Sequence, residues 1–320
     1  MKIEENEIHE KIVLSIVIPV YNEERVIDRT LFELQRLLYA ESIFSFEIIF
    51  VNDGSRDGTK IELATLQEEI KELKIIDLSR NVGHMLSLEI GMRHSLGSFV
   101  ITMDGDMQDS PSDAIRMFHE AMRLTSNHLK FQVIQAVRVN RDVDSFFKKT
   151  TAALYYKIMS AILGLPLLNA ADFRLITRET VDFLLQTPES PKIFRLLIPY
   201  YGLVVVSFEV ERGARIGGTT KYPFKKMFIL GIDSIFTFTI LPIRLMSLVG
   251  FLISTAFTCL AFLALPDYFL GKTVPGWTSI MFALISMCGL VLFSLGVIGE
   301  YVARIYRIVQ KRSNSYMEVH

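Results

Sequence analysis

The chain is poor in the residues that make disulfide scaffolds, zinc sites and phosphate-cradling loops. Its 320 residues include two cysteines, Cys259 and Cys288. Both fall inside long apolar runs, which excludes a disulfide framework and leaves them as small packing residues. No His/Cys set has zinc-ligand spacing, and His84 and His94 stand alone in the sequence. A glycine-rich P-loop is also missing, so bound phosphates would have to be held by a metal and by basic side chains. The N-terminus has no secretory pattern: residues 1–11 are rich in Glu and Lys, and the first apolar stretch, Ile12–Val20, is too short and opens a strand. The expectation is that the N-terminal part stays where it is made.

Apolar residues are abundant instead. They make up 50% of the chain against 22% charged, with a mean hydropathy of +0.34, which excludes disordered and fibrous classes and brings a membrane class forward. The excess is concentrated in Ile243–Leu265 and Trp277–Gly299, 23 residues each with Arg244 the one charge. As helices they would reach roughly 34 Å, enough to cross a hydrocarbon core of about 30 Å. Charge is divided too. From Lys221 onward nine basic residues face four acidic ones, +5, which leaves −6 for the first 220 residues of a chain whose net charge is −1. An acidic globular part on a basic membrane part disfavours nucleic acid and suits anionic lipid headgroups. Basic residues before the first run (Lys221, Lys225, Lys226) and after the second (Arg304, Arg307, Lys311, Arg312) predict both termini on the cytoplasmic side.

In the globular part, apolar strands alternate with amphipathic helices. Val13–Tyr21 reads as a strand, Asn22 as an N-cap, and Val26, Ile27, Leu31, Leu34 and Leu38 share one helix face. Strands at Phe46–Val51, Leu73–Leu78 and Phe99–Met103 follow, with helices at Thr59–Ile70 and Gly83–Leu96, and Pro111 suits the first turn of the next helix. This pattern predicts a parallel sheet covered by helices, with ligands at the carboxyl ends of its strands. The unusual polar residues lie there: Pro19, Tyr21, Asn22 and Glu23; Asn52, Asp53, Gly54 and Ser55; Ser79, Arg80, Asn81 and Gly83; Asp104, Asp106, Gln108 and Asp109.

Asp104-Gly105-Asp106 is the most chemical of these clusters. Two carboxylates around a glycine can aim at one divalent cation able to bridge a diphosphate, although an ordinary acidic turn has the same composition. Arg138 and Arg141 end the strand Phe131–Val139. Lys148, Lys149, Thr150 and Thr151 begin a helix with a strong apolar face, and Arg212 and Arg215 precede the loop Gly217–Tyr222. Solvated charge is the ordinary meaning of such runs. Basic-edged amphipathic helices before a membrane span also suit a cationic pocket at headgroup depth.

The chain resembles the glycosyltransferase family 2 enzymes that move a sugar from a nucleotide diphosphate to a polyprenyl phosphate, the group of the bacterial undecaprenyl-phosphate glucosyltransferases and dolichol-phosphate mannose synthase. The matching segments are Ile18–Glu23, Val51–Ser55 with Asp57–Thr59, Ser79–His84, Asp104–Asp109, Ala171–Leu175, Arg215–Tyr222 and the ending Gly299–Tyr301 with Arg304–Tyr306. The resemblance implies a GT-A-type nucleotide-sugar domain, Rossmann-like with a mostly parallel sheet, over residues 1–220, including an amphipathic helix at about 145–163. A juxtamembrane interfacial helix at 221–241, transmembrane helices at 243–265 and 277–299, a non-cytoplasmic loop at 266–276 and a cytoplasmic tail at 300–320 would complete it.

It further implies that Pro19, Tyr21, Glu23 and Asp53 bind the nucleotide, and that Asp104, Asp106 and Gln108 meet the diphosphate and a Mg²⁺ or Mn²⁺ ion. Arg138 and Arg215, with Lys149 and Thr151, would grip the lipid phosphate. Asn52 departs from the aspartate many relatives carry. Asp172 could orient a sugar hydroxyl or an arginine, or pair structurally with Arg174 or Arg178.

The implied reaction is inverting transfer of a hexose, from UDP-glucose or a related UDP-sugar, to undecaprenyl phosphate on the cytoplasmic membrane face, for cell-envelope glycan modification. A GDP-mannose-using polyprenyl-phosphate mannose synthase and a non-catalytic nucleotide-sugar-binding scaffold are the alternatives. A processive synthase fits less well, because Trp277 is the only tryptophan and no Gln-x-x-Arg-Trp segment occurs. Gly289, Gly296 and Gly299 would suit packing against a second copy, making a homo-oligomer the expectation.

Overall fold

A computed structural model describes residues 13–41, 45–138, 160, 172–189, 192–210, 242–246, 248–253, 255–256, 259, 276–310 and 317–319. Contacts divide the chain into one unit of Met1–Pro223 with Ser313–His320 and another of Phe224–Arg312.

The first unit is built on an eight-stranded sheet. Its strands are β1 (Leu14–Val20), β2 (Phe46–Asn52), β3 (Leu73–Leu78), β4 (Phe99–Thr102), β5 (Val133–Arg138), β6 (Arg174–Thr177), β7 (Val205–Val210) and β8 (Met317–Val319), in the order β7-β5-β6-β4-β1-β2-β3-β8. The strands β1 to β4 pair in parallel, as do β5 and β7. Antiparallel pairing enters where β6 joins β4 to β5 and where β8 joins β3. Every residue of β1 and β2 is buried, which is why both read as unbroken apolar runs rather than as alternating strands.

Helices α1 (Ile27–Ala40), α2 (Thr59–Glu69), α3 (His84–His94) and α4 (Pro111–Ser126) connect the parallel strands and lead out of β4. The face expected on α1 is the one observed: Ile27, Leu31, Leu34 and Leu38 are fully buried in the core cluster with Ile16, Ile18, Ile48 and Phe50. Pro111 occupies the first turn of α4 as expected, where its missing N–H costs nothing. Two further short helices, α5 (Arg178–Gln186) and α6 (Phe194–Tyr200), follow β6.

Asn22 is not the N-cap of α1, which starts five residues later at Ile27. Asn22 instead adopts φ 55°, accepts the Arg56 N–H at 2.8 Å through its side chain and donates its own N–H to Ser55 Oγ at 3.0 Å. A side chain committed to a neighbouring loop cannot also cap a helix.

The second unit contains α7 (Trp277–Gln310), a helix of 34 residues, and helical residues between 242 and 259. Among its described residues, Phe251, Leu252, Ile280, Leu284, Met287 and Phe293 have exposed side chains. Taken over the described residues alone, no helix is both long and apolar enough to cross a membrane. The run 243–265 is described only in pieces, and α7 has described side chains at only part of its positions. The expected amphipathic helix at about 145–163, apart from residue 160, and the interfacial helix at 221–241 lie outside the described residues.

Candidate functional site

Because β1 to β4 run parallel, their carboxyl ends share one edge of the sheet. The chain order reverses across β1, with β2 on one side and β4 on the other, and such switch points are where open α/β sheets leave a ligand crevice. The loop after β1 carries Tyr21 and Glu23, both half-buried, and β4 leads into Asp104-Gly105-Asp106. Pro19 is buried within β1. Val17 O accepts the Met103 N–H at 3.1 Å, so Pro19, two residues on, faces the same side, beyond the last β1–β4 register pair at Val17↔Thr102. Its missing N–H falls where no ladder partner remains.

The acidic turn is held from within. The Asp104 N–H donates to Asp109 Oδ2 at 3.2 Å, the Gln108 N–H donates to Asp106 Oδ1 at 3.1 Å, and Met107 sits at φ 60°. A Cβ on Gly105 would lie 2.8 Å from Val20 Cγ1 and 3.3 Å from Ile18 Cγ2. The glycine therefore lets the turn lie directly on β1, with one carboxylate on either side of it.

Asp53 is almost fully buried and its carboxylate is committed to the β3–α3 loop. It accepts the N–H groups of Val82 at 2.6 Å and Gly83 at 3.0 Å, and the Asn81 side chain at 2.9 Å. Burial pushes this carboxyl up from its ordinary value, with the two N–H groups pulling the other way. Its observed work is to shape the Ser79–His84 loop. Gly54 beside it has φ +64°, and a Cβ there would meet Arg80 C at 2.5 Å, so the two loops touch backbone to backbone. Asn52 donates its amide to Asp77 Oδ1 at 2.7 Å and accepts the Ser55 N–H at 3.1 Å. An aspartate at position 52 would set two carboxylates together. Around these residues lies a cavity of about 380 Å³ lined by Asn52, Ser55, Arg56, Lys60, Asp77 and Arg80, among others.

Two residues carry more than their sequence context suggested. His84 opens α3 with Nε2 3.6 Å from Asp104 Oδ1 and 3.8 Å from Asp172 Oδ2. Asp172 leads into β6 and is tied to β4 by Thr102 Oγ1, which donates to its carbonyl at 2.7 Å. Its carboxylate accepts from Arg174 Nη2 at 2.7 Å and Arg195 Nη2 at 2.5 Å. Burial opposes charge on Asp172, yet the flanking Arg195 and Arg174 hold its carboxyl well below the usual carboxylate range. Of the two structural partners considered, Arg174 is the one used. Arg178 instead donates to Gly97 O at 2.9 Å and Ser95 Oγ at 2.7 Å. Arg195 had no signal in the sequence, since it lies 23 residues away and reaches Asp172 only through α6.

Arg138 is the last residue of β5. Lys149, Thr151 and Arg215 lie outside the described residues. Among the described residues no group of three or more His, Cys, Asp or Glu could enclose a metal ion. The donor set nonetheless fits a diphosphate-bridging cation, because Mg²⁺ in such sites takes one or two protein carboxylates and completes its shell with phosphate oxygens and water.

A mostly parallel sheet with helical connections and an acidic turn at the switch point defines a GT-A-like α/β fold. The chain belongs to glycosyl transferase family 2, whose model matches residues 15–182, and it is a glycosyltransferase. It is 37% identical over 295 residues to the uncharacterized glycosyltransferase YkcC of Bacillus subtilis (strain 168), covering 91% of this chain and 89% of that one. It is 30% identical over 305 residues to the bactoprenol glucosyl transferase of Shigella phage SfII, covering 93% and 95%. Glucosyl-3-phosphoglycerate synthase from Mycobacterium tuberculosis, solved with Mn²⁺, uridine diphosphate and phosphoglyceric acid, shares the fold. It has a TM-score of 0.50 and 18% identity, over 70% of this chain and 76% of that one.

Proposed function

We propose that the enzyme transfers a hexose from a nucleoside diphosphate sugar, UDP-glucose or a related UDP-sugar, to the phosphate of a polyprenyl phosphate such as undecaprenyl phosphate, with inversion at the anomeric carbon. The observation that carries this reading is the Asp104–Asp109 turn seated on β1 at the switch point, with the loops after β1, β2 and β3 on the same sheet edge. The polyprenyl acceptor is supported by the bactoprenol glucosyl transferase, which matches over nearly the full length of both chains.

A phosphate monoester is largely dianionic near neutral pH, with a second pKa of about 6, so the acceptor is already a nucleophile and needs no strong base. What the enzyme must supply is alignment of two anions and stabilisation of the leaving diphosphate. Asp104 and Asp106, with Gln108 closing their turn, would hold Mg²⁺ or Mn²⁺. The bound cation would neutralise charge on the diphosphate. Pro19, Tyr21, Glu23 and the loop held by Asp53 would take the nucleoside. Arg138 and Arg215, with Lys149 and Thr151, would neutralise and orient the lipid phosphate. Asp172, occupied by two arginines, would act by fixing the wall beside Asp104 rather than by touching a proton in flight.

The natural acceptor of such a reaction is a membrane lipid. Trp277–Gly299 contains no charged residue, and the 34 residues of α7 extend about 51 Å at 1.5 Å each, against a hydrocarbon core of about 30 Å. The exposed apolar side chains of this unit suit lipid contact. We assign spans at 243–265 and 277–299, with the globular unit on the cytoplasmic face of the cell membrane.

The test uses the purified full chain with radiolabelled nucleotide sugars, a short polyprenyl phosphate and Mg²⁺ or Mn²⁺, and reads radioactivity in an organic-soluble product. Failure with every common donor would refute transfer. Asp106→Asn should lower kcat by at least about 10²-fold, the scale for losing a charge-stabilising group. Arg215→Ala should chiefly raise KM for the lipid, and unchanged lipid kinetics would refute that assignment.

A further inference from the structure

The strand β8 is short and oddly placed for a purely structural element. Its three residues pair antiparallel with β3 in the register Ile76↔Val319, Asp77↔Glu318 and Leu78↔Met317. That register sets two acids directly opposite one another, which destabilises a ladder unless a cation stands between them. Lys60, from the first turn of α2, supplies it: its Nζ lies 3.1 Å from Asp77 Oδ2 and 3.6 Å from Glu318 Oε2. Asp77 is nearly buried, whereas Lys60 and Glu318 are exposed, so the outer contact adds little to stability.

The contact continues inward. The other oxygen of Asp77 accepts the Asn52 amide at 2.7 Å, and Asn52 in turn accepts the Ser55 N–H at 3.1 Å. Asn52, Ser55, Lys60 and Asp77 all line the cavity at the ends of β2 and β3. A polar chain therefore runs from β8 through Lys60 and Asp77 to the wall of that cavity.

We propose that β8 belongs to the donor-binding apparatus, with Glu318 and Lys60 as positioning residues that fix the cavity wall around the nucleoside part of the donor. The proposal rests on the glycosyltransferase reading above for the identity of the ligand. With β8 docked, Lys60 is held between two carboxylates and Asp77 stays aimed at Asn52. Without it, Lys60 loses one anchor, the β3 edge opens, and the wall at Asn52 and Ser55 loosens.

The experiment compares wild type, Glu318→Ala, Glu318→Asp and a chain lacking 313–320, measuring donor KM, lipid KM, kcat and melting temperature. Glu318→Ala should raise donor KM about two- to fivefold, the range an exposed ion pair spans, with kcat and lipid KM unchanged. Glu318→Asp should recover most of the loss, and removal of 313–320 should exceed Glu318→Ala. An unchanged donor KM in the shortened chain would overturn the proposal. So would parallel losses of kcat, both KM values and melting temperature, which would make β8 a stability element alone. Calorimetric titration with uridine and guanosine diphosphate reads the same cavity without turnover. A wild type that makes no product but shows the expected loss of diphosphate binding on Glu318→Ala would sink the transfer reading and leave the β8 assignment standing.

Discussion

Replacing Asp172 by alanine isolates the ion cluster that backs the acidic turn. The substitution leaves Arg174, whose side chain is 2% exposed, and Arg195, at 24%, without the carboxylate they share. Breaking a buried pair by removing one partner costs about 3–5 kcal/mol. Partial exposure of Arg195 argues for the low end, about 3 kcal/mol by the same measure. For a domain of this size each kcal/mol moves the melting temperature by about 2–4 °C, so the loss should be about 6–12 °C. Far-UV circular dichroism on the purified protein measures it directly.

The sign of the pH dependence follows from the direction of the shift. Asp172 is held below its unfolded value, so its contribution is fully present above the ordinary aspartate value of about 3.9 and is lost only as pH falls through the lower folded value. The arginine-held part of the Asp172→Ala penalty should therefore persist across about pH 5 to pH 8, above that aspartate value. Adding Arg174→Met and Arg195→Met to Asp172→Ala should recover much of the stability, because a buried ion cluster exchanged whole for apolar groups is often near neutral. An Asp172→Ala single variant melting within about 2 °C of wild type, well under the shift for 3 kcal/mol, would refute the cluster as a stabilising element.

Gly105→Ala must push Val20 or the turn aside, since its Cβ would lie 2.8 Å from Val20 Cγ1. It should cost about 1–3 kcal/mol and lower kcat through displacement of Asp104 and Asp106; unchanged melting and turnover would show that the turn does not rest on β1. Asn52→Asp would replace the 2.7 Å amide contact to Asp77 with a pair of carboxylates, raising one carboxyl above its unfolded value. The variant should lose more stability at pH 8 than at pH 5, and equal loss at both would contradict the contact. Gly54→Ala combines φ +64° with a 2.5 Å approach to Arg80 C and should destabilise by more than about 1 kcal/mol, read as a lowered melting temperature.

Much of the first half of the globular unit was legible from its residues. The strands β1 to β4 are buried on both faces and leave no ambiguity with surface helices, and α1 shows one clean apolar stripe. What escaped was set by contacts between distant residues. The start of α1 moved because Asn22 binds Arg56, 34 positions on. The pairing of Arg195 with Asp172 depends on where α6 falls, and His84 stands beside two carboxylates only once β3, β4 and β6 are adjacent. Asp53 was singled out from its sequence context, but that its carboxylate gathers the N–H groups of Val82 and Gly83, about 30 positions on, shows only in the fold. Strand β7 is only partly buried and β8 has three residues, too little of either pattern to stand out.

The long insertion before β8 has a consequence for biosynthesis. Between the end of β7 at Val210 and the start of β8 at Met317 lie 106 residues. At about 5–20 residues per second, the ribosome needs roughly 5–20 s to make them. Through that interval the sheet waits with the outer edge of β3 open, an unpaired ladder of the kind that recruits strands from other chains. The hazard in maturation is thus an open sheet edge, closed only after the whole apolar stretch has been translated.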